Sequence, residues 1–105
     1  MGFHQESDRL PVPSSKEALI LQLLVRNSEM FGLRMVEESE GALKRGTVYV
    51  TLSRMEEKGY VTSRQEEQLP GAIGLPRRLY KLTGLGQRVL HAWETYGLAL
   101  VPVVA

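Results

Sequence analysis

Cysteine is absent from the 105 residues. No disulfide frame, no thiolate metal site and no cysteine nucleophile is available, which suits a reducing compartment. Histidine is nearly as scarce, and His4 and His91 are too far apart in sequence to suggest a metal site. No apolar run approaches a membrane span, and the opening MGFHQESDR lacks the basic-then-apolar pattern of a secretory signal. Glu6 stands where a myristoylation motif beginning at Gly2 asks for Ser or Thr. The expectation is a cytoplasmic protein with no membrane partner. Also missing are His-Glu-x-x-His, a Walker loop and a glycine-rich dinucleotide turn. The carboxylate pairs Glu37-Glu38, Glu56-Glu57 and Glu66-Glu67 are neighbours in sequence. On a helix neighbours point about 100° apart, so these read as solvated positions rather than an acid–base pair. The chain is expected to be no enzyme and to hold no cofactor or metal.

A strong net charge is lacking too, at +1. The charge is unevenly spread. Residues 1–43 carry four basic and seven acidic side chains, residues 44–88 carry nine basic and four acidic, and only Glu94 follows. Basic character is therefore concentrated in the middle of the chain, and local concentration is what phosphate binding responds to.

In that basic stretch lies ALKRGTVYVTLSRMEEKGY, Ala42 to Tyr60. At 100° per residue Val48, Leu52 and Met55 form one apolar stripe with Thr51 beside it, which predicts a helix packed through that stripe. The opposite side presents Gly46, Tyr49, Val50, Ser53 and Arg54, entered through Lys44, Arg45 and Thr47. A helix start has free N–H groups and a partial positive charge. Lys44 and Arg45 add to it, Gly46 leaves room for a phosphate, and Tyr49, Ser53 and Arg54 can reach base edges. The stretch predicts a helix for a nucleic-acid groove. The plainer reading is an amphipathic helix with a solvated outer face.

The remaining elements fall in order around it. Residues 1–13 are polar and end in Leu10-Pro11-Val12-Pro13, a flexible arm. Ser14 or Ser15 caps a first helix rich in leucine, with Glu17 as early negative charge. The pattern from Met30 to Glu38 predicts a second helix with Phe31 and Met35 inward. Gly59 ends the third as a left-handed cap. Tyr60–Gln65 and Arg78–Leu82 predict a two-stranded hairpin with a long tip, along which Arg64, Arg77, Arg78 and Lys81 lie. Thr83 caps a fourth helix whose apolar stripe is Leu85, Val89, Ala92, Trp93, Tyr96 and Leu100, and Pro102 stops it. The architecture is mainly α with a small β-hairpin. It is a winged helix-turn-helix over residues 14–82, a C-terminal helix over 83–101 and a tail over 102–105.

Three separated motifs in this order carry a resemblance. Gly46-Thr47-Val48-Tyr49 with Leu52 and Met55-Glu56-Glu57-Lys58-Gly59-Tyr60-Val61 resembles the recognition helix of the PadR family of bacterial transcription regulators. Met30-Phe31-Gly32-Leu33 resembles the start of its second helix. Gly74-Leu75-Pro76-Arg77-Arg78-Leu79-Tyr80-Lys81-Leu82-Thr83 with Gly86 resembles its wing and exit. Lys44-Arg45 replace the Ser-Pro common before the first motif, and Leu75 stands where the wing often carries another arginine. The resemblance implies a repressor, homodimeric through the C-terminal helix, on a palindromic double-stranded DNA operator. It implies DNA contact by Thr47 and Tyr49 and by Arg77 and Arg78 of the wing. It also implies release by a small aromatic ligand stacked on Trp93 at the dimer seam. The rival expectation is a winged-helix module that recruits a protein partner through its last helix without specific DNA binding.

Overall fold

The computed structural model describes residues 10–71, 74 and 76–97. Helix α1 is Ser15–Arg26. Its start is capped reciprocally: Ser14 Oγ accepts from the Glu17 N–H at 3.1 Å, and Glu17 Oε1 accepts from the Ser14 N–H at 2.9 Å. Two otherwise orphaned donors are thereby satisfied. Ala18, Ile20, Leu21, Leu23 and Leu24 are buried, so the helix is enclosed on more than one side. Val25 is 58% exposed although Ala18, at nearly the same angle, is 1% exposed. Helix end rather than helix face exposes it.

The expected helix from Met30 starts two residues late. Met30–Phe31 is a short strand, β1, and α2 is Gly32–Glu38. β1 pairs antiparallel with β3 (Arg78–Leu82), Met30 opposite Tyr80 and Phe31 opposite Leu79. β3 pairs on its other edge with β2 (Val61–Gln65), from Val61 opposite Leu82 to Gln65 opposite Arg78. The expected two-stranded hairpin is thus a three-stranded sheet in the order β1-β3-β2. Two strands alone are marginal, and the added strand gives β3 a partner on both sides.

Helix α3 is Val48–Glu57, later than its pattern suggested. Lys44, Arg45 and Gly46 form the turn before it, closed by Val48 N–H to Lys44 O at 2.9 Å. The helix ends as expected. Gly59 has φ 84°, and the Tyr60 N–H reaches Met55 O at 2.9 Å. A side chain other than glycine's is strained in that conformation. Helix α4, Gly84–Ala92, is capped by Thr83, whose Oγ1 accepts from the Gly86 N–H at 3.0 Å. A wider π-helical turn, Trp93–Gly97, continues it.

The core lies between the helices and one face of the sheet. Ile20 and Leu21 of α1, Met35 of α2, Leu52 and Met55 of α3 and Val89 of α4 are each 0% exposed, and Met30, Val61 and Tyr80 close it from the sheet. Strand alternation sends every second side chain to that face. Glu17, 5% exposed, is the buried charge among the described residues, and Lys58 Nζ meets it at 2.7 Å. That pair ties the start of α1 to the end of α3. No described helix is long and apolar enough to cross a membrane.

Candidate nucleic-acid interface

The apolar stripe of α3 is wholly inward: Val48, Leu52 and Met55 are 1%, 0% and 0% exposed. The geometry then leaves the other side out. Tyr49 is 45% and Val50 52% exposed, and Ser53 and Arg54 are exposed. Lys44, Arg45, Gly46 and Thr47 are exposed in the preceding turn. The two cations therefore stand before the helix rather than on its first turn. Thr47 occupies the N-cap position without a side-chain cap. Among the described residues, the Tyr49 and Val50 N–H groups have no backbone acceptor. Free donors at a helix start, with two cations beside them, suit an anion. Arg54 makes no ion pair among the described residues.

Tyr49 is held from below by a glycine. A Cβ placed on Gly32 would come within 2.7 Å of the Tyr49 ring carbon Cε1. The ring lies across the N-terminus of α2, so the helix-turn-helix is closed by this contact. Sequence alone offered no sign that these two residues meet.

The four basic residues assigned to the wing do not form one surface. Pairing puts Arg64 opposite Leu79, and alternation places Lys81 and Arg77 on that same outer face. Arg78 lies on the other face with Ser63 and the buried Tyr80. Two of the outer cations are already engaged. Arg64 makes two hydrogen bonds to the Glu29 carboxylate at 2.9 and 3.0 Å. That bond holds the Glu29 carboxyl below its usual range and raises Arg64. Arg77 donates to Glu66 at 3.2 Å, lowering Glu66 likewise, and its guanidinium carbon sits 3.9 Å from the centre of the Phe31 ring. Arg78 instead donates to the Ser63 hydroxyl at 3.1 Å, a neutral partner. Lys81 is exposed and makes no ion pair among the described residues. Glu29 and Phe31 were missed because nothing local links them to the wing. The parity of 77, 78 and 81 along one strand was available and separates them.

Part of the stripe expected on the last helix faces the protomer's own core. Val89 is 0% exposed, and Leu85 and Trp93 pack on the same core. A helix with one apolar stripe turns it to its own protomer, so Val89 has no surface to offer a second chain. Outside, a groove of about 640 Å³ is lined by Leu10, Gln87, Arg88, His91, Ala92, Thr95 and Tyr96. Tyr96 is 70% exposed. Ala92 and Tyr96 thus border the outer surface. Trp93 does not line this groove, so it is not placed to stack a ligand there. Leu100 lies outside the described residues, as do Leu75 and His4.

Residues 20–92 match the model of the transcriptional regulator PadR-like family. No curated protein matches the chain. Among solved structures the chain is similar to Bacillus subtilis PadR in complex with operator DNA, with 28% identity and a TM-score of 0.64. The match covers 75% of this chain and 46% of that one, so this chain spans less than half of that protein's length. It is similar to a PadR-like transcription factor from Bacteroides fragilis, with 26% identity, a TM-score of 0.69 and 84% of each chain covered. It is also similar to a PadR family transcriptional regulator from Eggerthella lenta DSM 2243, with 25% identity and a TM-score of 0.72. That match covers 86% of this chain and 78% of the other.

Proposed function

The chain belongs to the PadR-like family of transcriptional regulators, and from that premise we propose that it is a cytoplasmic repressor. It binds a palindromic double-stranded DNA operator as a homodimer. The observation that carries this reading is the outer side of α3. Lys44, Arg45, Gly46, Thr47, Tyr49, Val50, Ser53 and Arg54 are all exposed there, at a helix start with free N–H groups. Tyr49, Val50, Ser53 and Arg54 then meet base edges in the major groove, while Lys44 and Arg45 take phosphates. The Bacillus subtilis relative, solved in complex with operator DNA, supports DNA binding by this chain. In the wing Arg78 and Lys81 serve the backbone, and Arg64 and Arg77 serve the wing's own structure.

Dimerisation runs along the outer groove of α4, with Ala92 and Tyr96 at the seam. Two-fold symmetry would set the recognition helices about 34 Å apart, one turn of DNA. A small aromatic effector, where one acts, fits the Tyr96 side of this groove better than Trp93. The rival reading, a module that recruits a protein through α4, draws on the same exposed groove.

One experiment separates the two readings. Duplexes bound by the protein are selected from a random pool, then titrated by anisotropy at several salt concentrations. A regulator recovers a palindrome and shows a steep negative salt slope. Recovery of no common sequence, with weak and salt-independent binding, removes the DNA reading.

A further inference from the structure

We propose that Ser63 and Glu56 are positioning residues that aim Arg78 at the DNA backbone; the inference rests on the DNA-binding reading above. The three side chains come from three elements. Glu56 is in the last turn of α3, Ser63 is on β2 and Arg78 is on β3. The Ser63 hydroxyl donates to Glu56 Oε2 at 2.8 Å, and Arg78 Nη1 donates to the same hydroxyl at 3.1 Å. A hydroxyl has one proton and two lone pairs. Because the proton goes to Glu56, a lone pair is turned toward the guanidinium.

The order of the partners matters. Arg64 and Arg77 lie against carboxylates, which offset their charge and occupy their donors. Arg78 lies against a neutral oxygen, with Glu56 held one residue further away. It keeps its charge and most of its five N–H groups for a phosphate. Its direction is nevertheless set, which lowers the entropy lost when it binds. The chain of bonds also joins the wing to the recognition helix. A phosphate gripped by Arg78 is thereby placed in register with the bases beneath α3.

A double-mutant cycle tests this on the full chain, with the duplex recovered by selection. Ser63→Ala should bind about three- to tenfold more weakly, and Ser63→Thr, which keeps the hydroxyl, should bind like the wild type. Arg78→Ala should weaken binding at least as much and reduce the salt slope by about one. Adding Ser63→Ala to Arg78→Ala should then cost nothing further. Glu56→Ala gives an opposing test: removal of a mere repelling charge would tighten binding, whereas loss of positioning weakens it. Thermal melts of these variants should stay within a few degrees of the wild type. The proposal is overturned if Ser63→Ala costs the same in both backgrounds, if Ser63→Thr is as weak as Ser63→Ala, or if Glu56→Ala binds more tightly. Failure of the wild type to bind any duplex would instead remove the DNA reading on which it stands.

Discussion

Tyr49 is both a packing residue and an exposed one. Its ring rests on Gly32 while 45% of the residue faces solvent. Tyr49→Ala should lose specific affinity by about tenfold or more and keep its melting temperature within a few degrees. Unchanged operator binding would take Tyr49 out of the interface. Gly32→Ala works from beneath. Its methyl would push the ring outward, so affinity should fall more than stability, because alanine favours the helix that glycine disfavours. Equal loss of both would mean the contact is purely structural. Val50 is an exposed branched apolar side chain amid cations, and the thymine methyl is the apolar feature of the major groove. Replacing operator thymines one at a time by deoxyuridine should weaken the wild type at one position per half-site and leave Val50→Ala unaffected there. The outward aim of these residues was legible from a period of 100°, since the inward stripe leaves no other choice. The pairing of Arg64 with Glu29, 35 residues away, was not, because charge composition does not say which opposite charge is near.

Among elements, the joint between α1 and α3 depends on one acid. Burial pushes the Glu17 carboxyl up, but the Lys58 ammonium and the Ser14 cap together hold it below its ordinary value of 4.5. A depressed acid contributes stability when ionised. That contribution is present above about pH 4.5 and is lost as pH falls through the lower folded value. Glu17→Gln should therefore cost about 1–2 kcal/mol at neutral pH, discounted for the half-exposed Lys58. The gap should narrow as pH falls below about 4.5 in urea melts, and a gap independent of pH would assign the effect to packing. The joint between α4 and the residue leading into β2 depends on a missing side chain. A Cβ on Gly86 would collide with the Tyr60 carbonyl. Gly86→Ala should destabilise by about 1–3 kcal/mol, read by the same melts. The caps at Ser14, Gly59 and Thr83 were legible because each is a local pairing within a few residues. β1 was not, because Met30-Phe31 is too short for a period and is extended only by its pairing with β3.

For the whole molecule, the proposed dimer depends on a free surface of α4. The inward stripe is occupied, and the proposed seam is the outer groove that Ala92 and Tyr96 border. Tyr96→Glu combined with Ala92→Glu should shift sedimentation toward the monomer with little change in circular dichroism. The double variant should also weaken operator binding steeply, since two half-sites are no longer gripped together. Val89→Glu should behave differently and unfold the protomer, because an unpaired charge would enter a closed core. A monomer that stays folded after Val89→Glu would restore Val89 to the seam.

Local pattern by itself determined the helix stripes, the caps, the two longer strands and the outward side of α3. These depend on spacing and on neighbours within about one turn, which a linear chain records directly. Only the tertiary structure decided the third strand, the engagement of Arg64 and Arg77, the approach of Gly32 to Tyr49 and the inward turn of Val89. Each of these joins residues distant in the chain, and such a contact is chosen by the packing of whole elements rather than by the residues that make it.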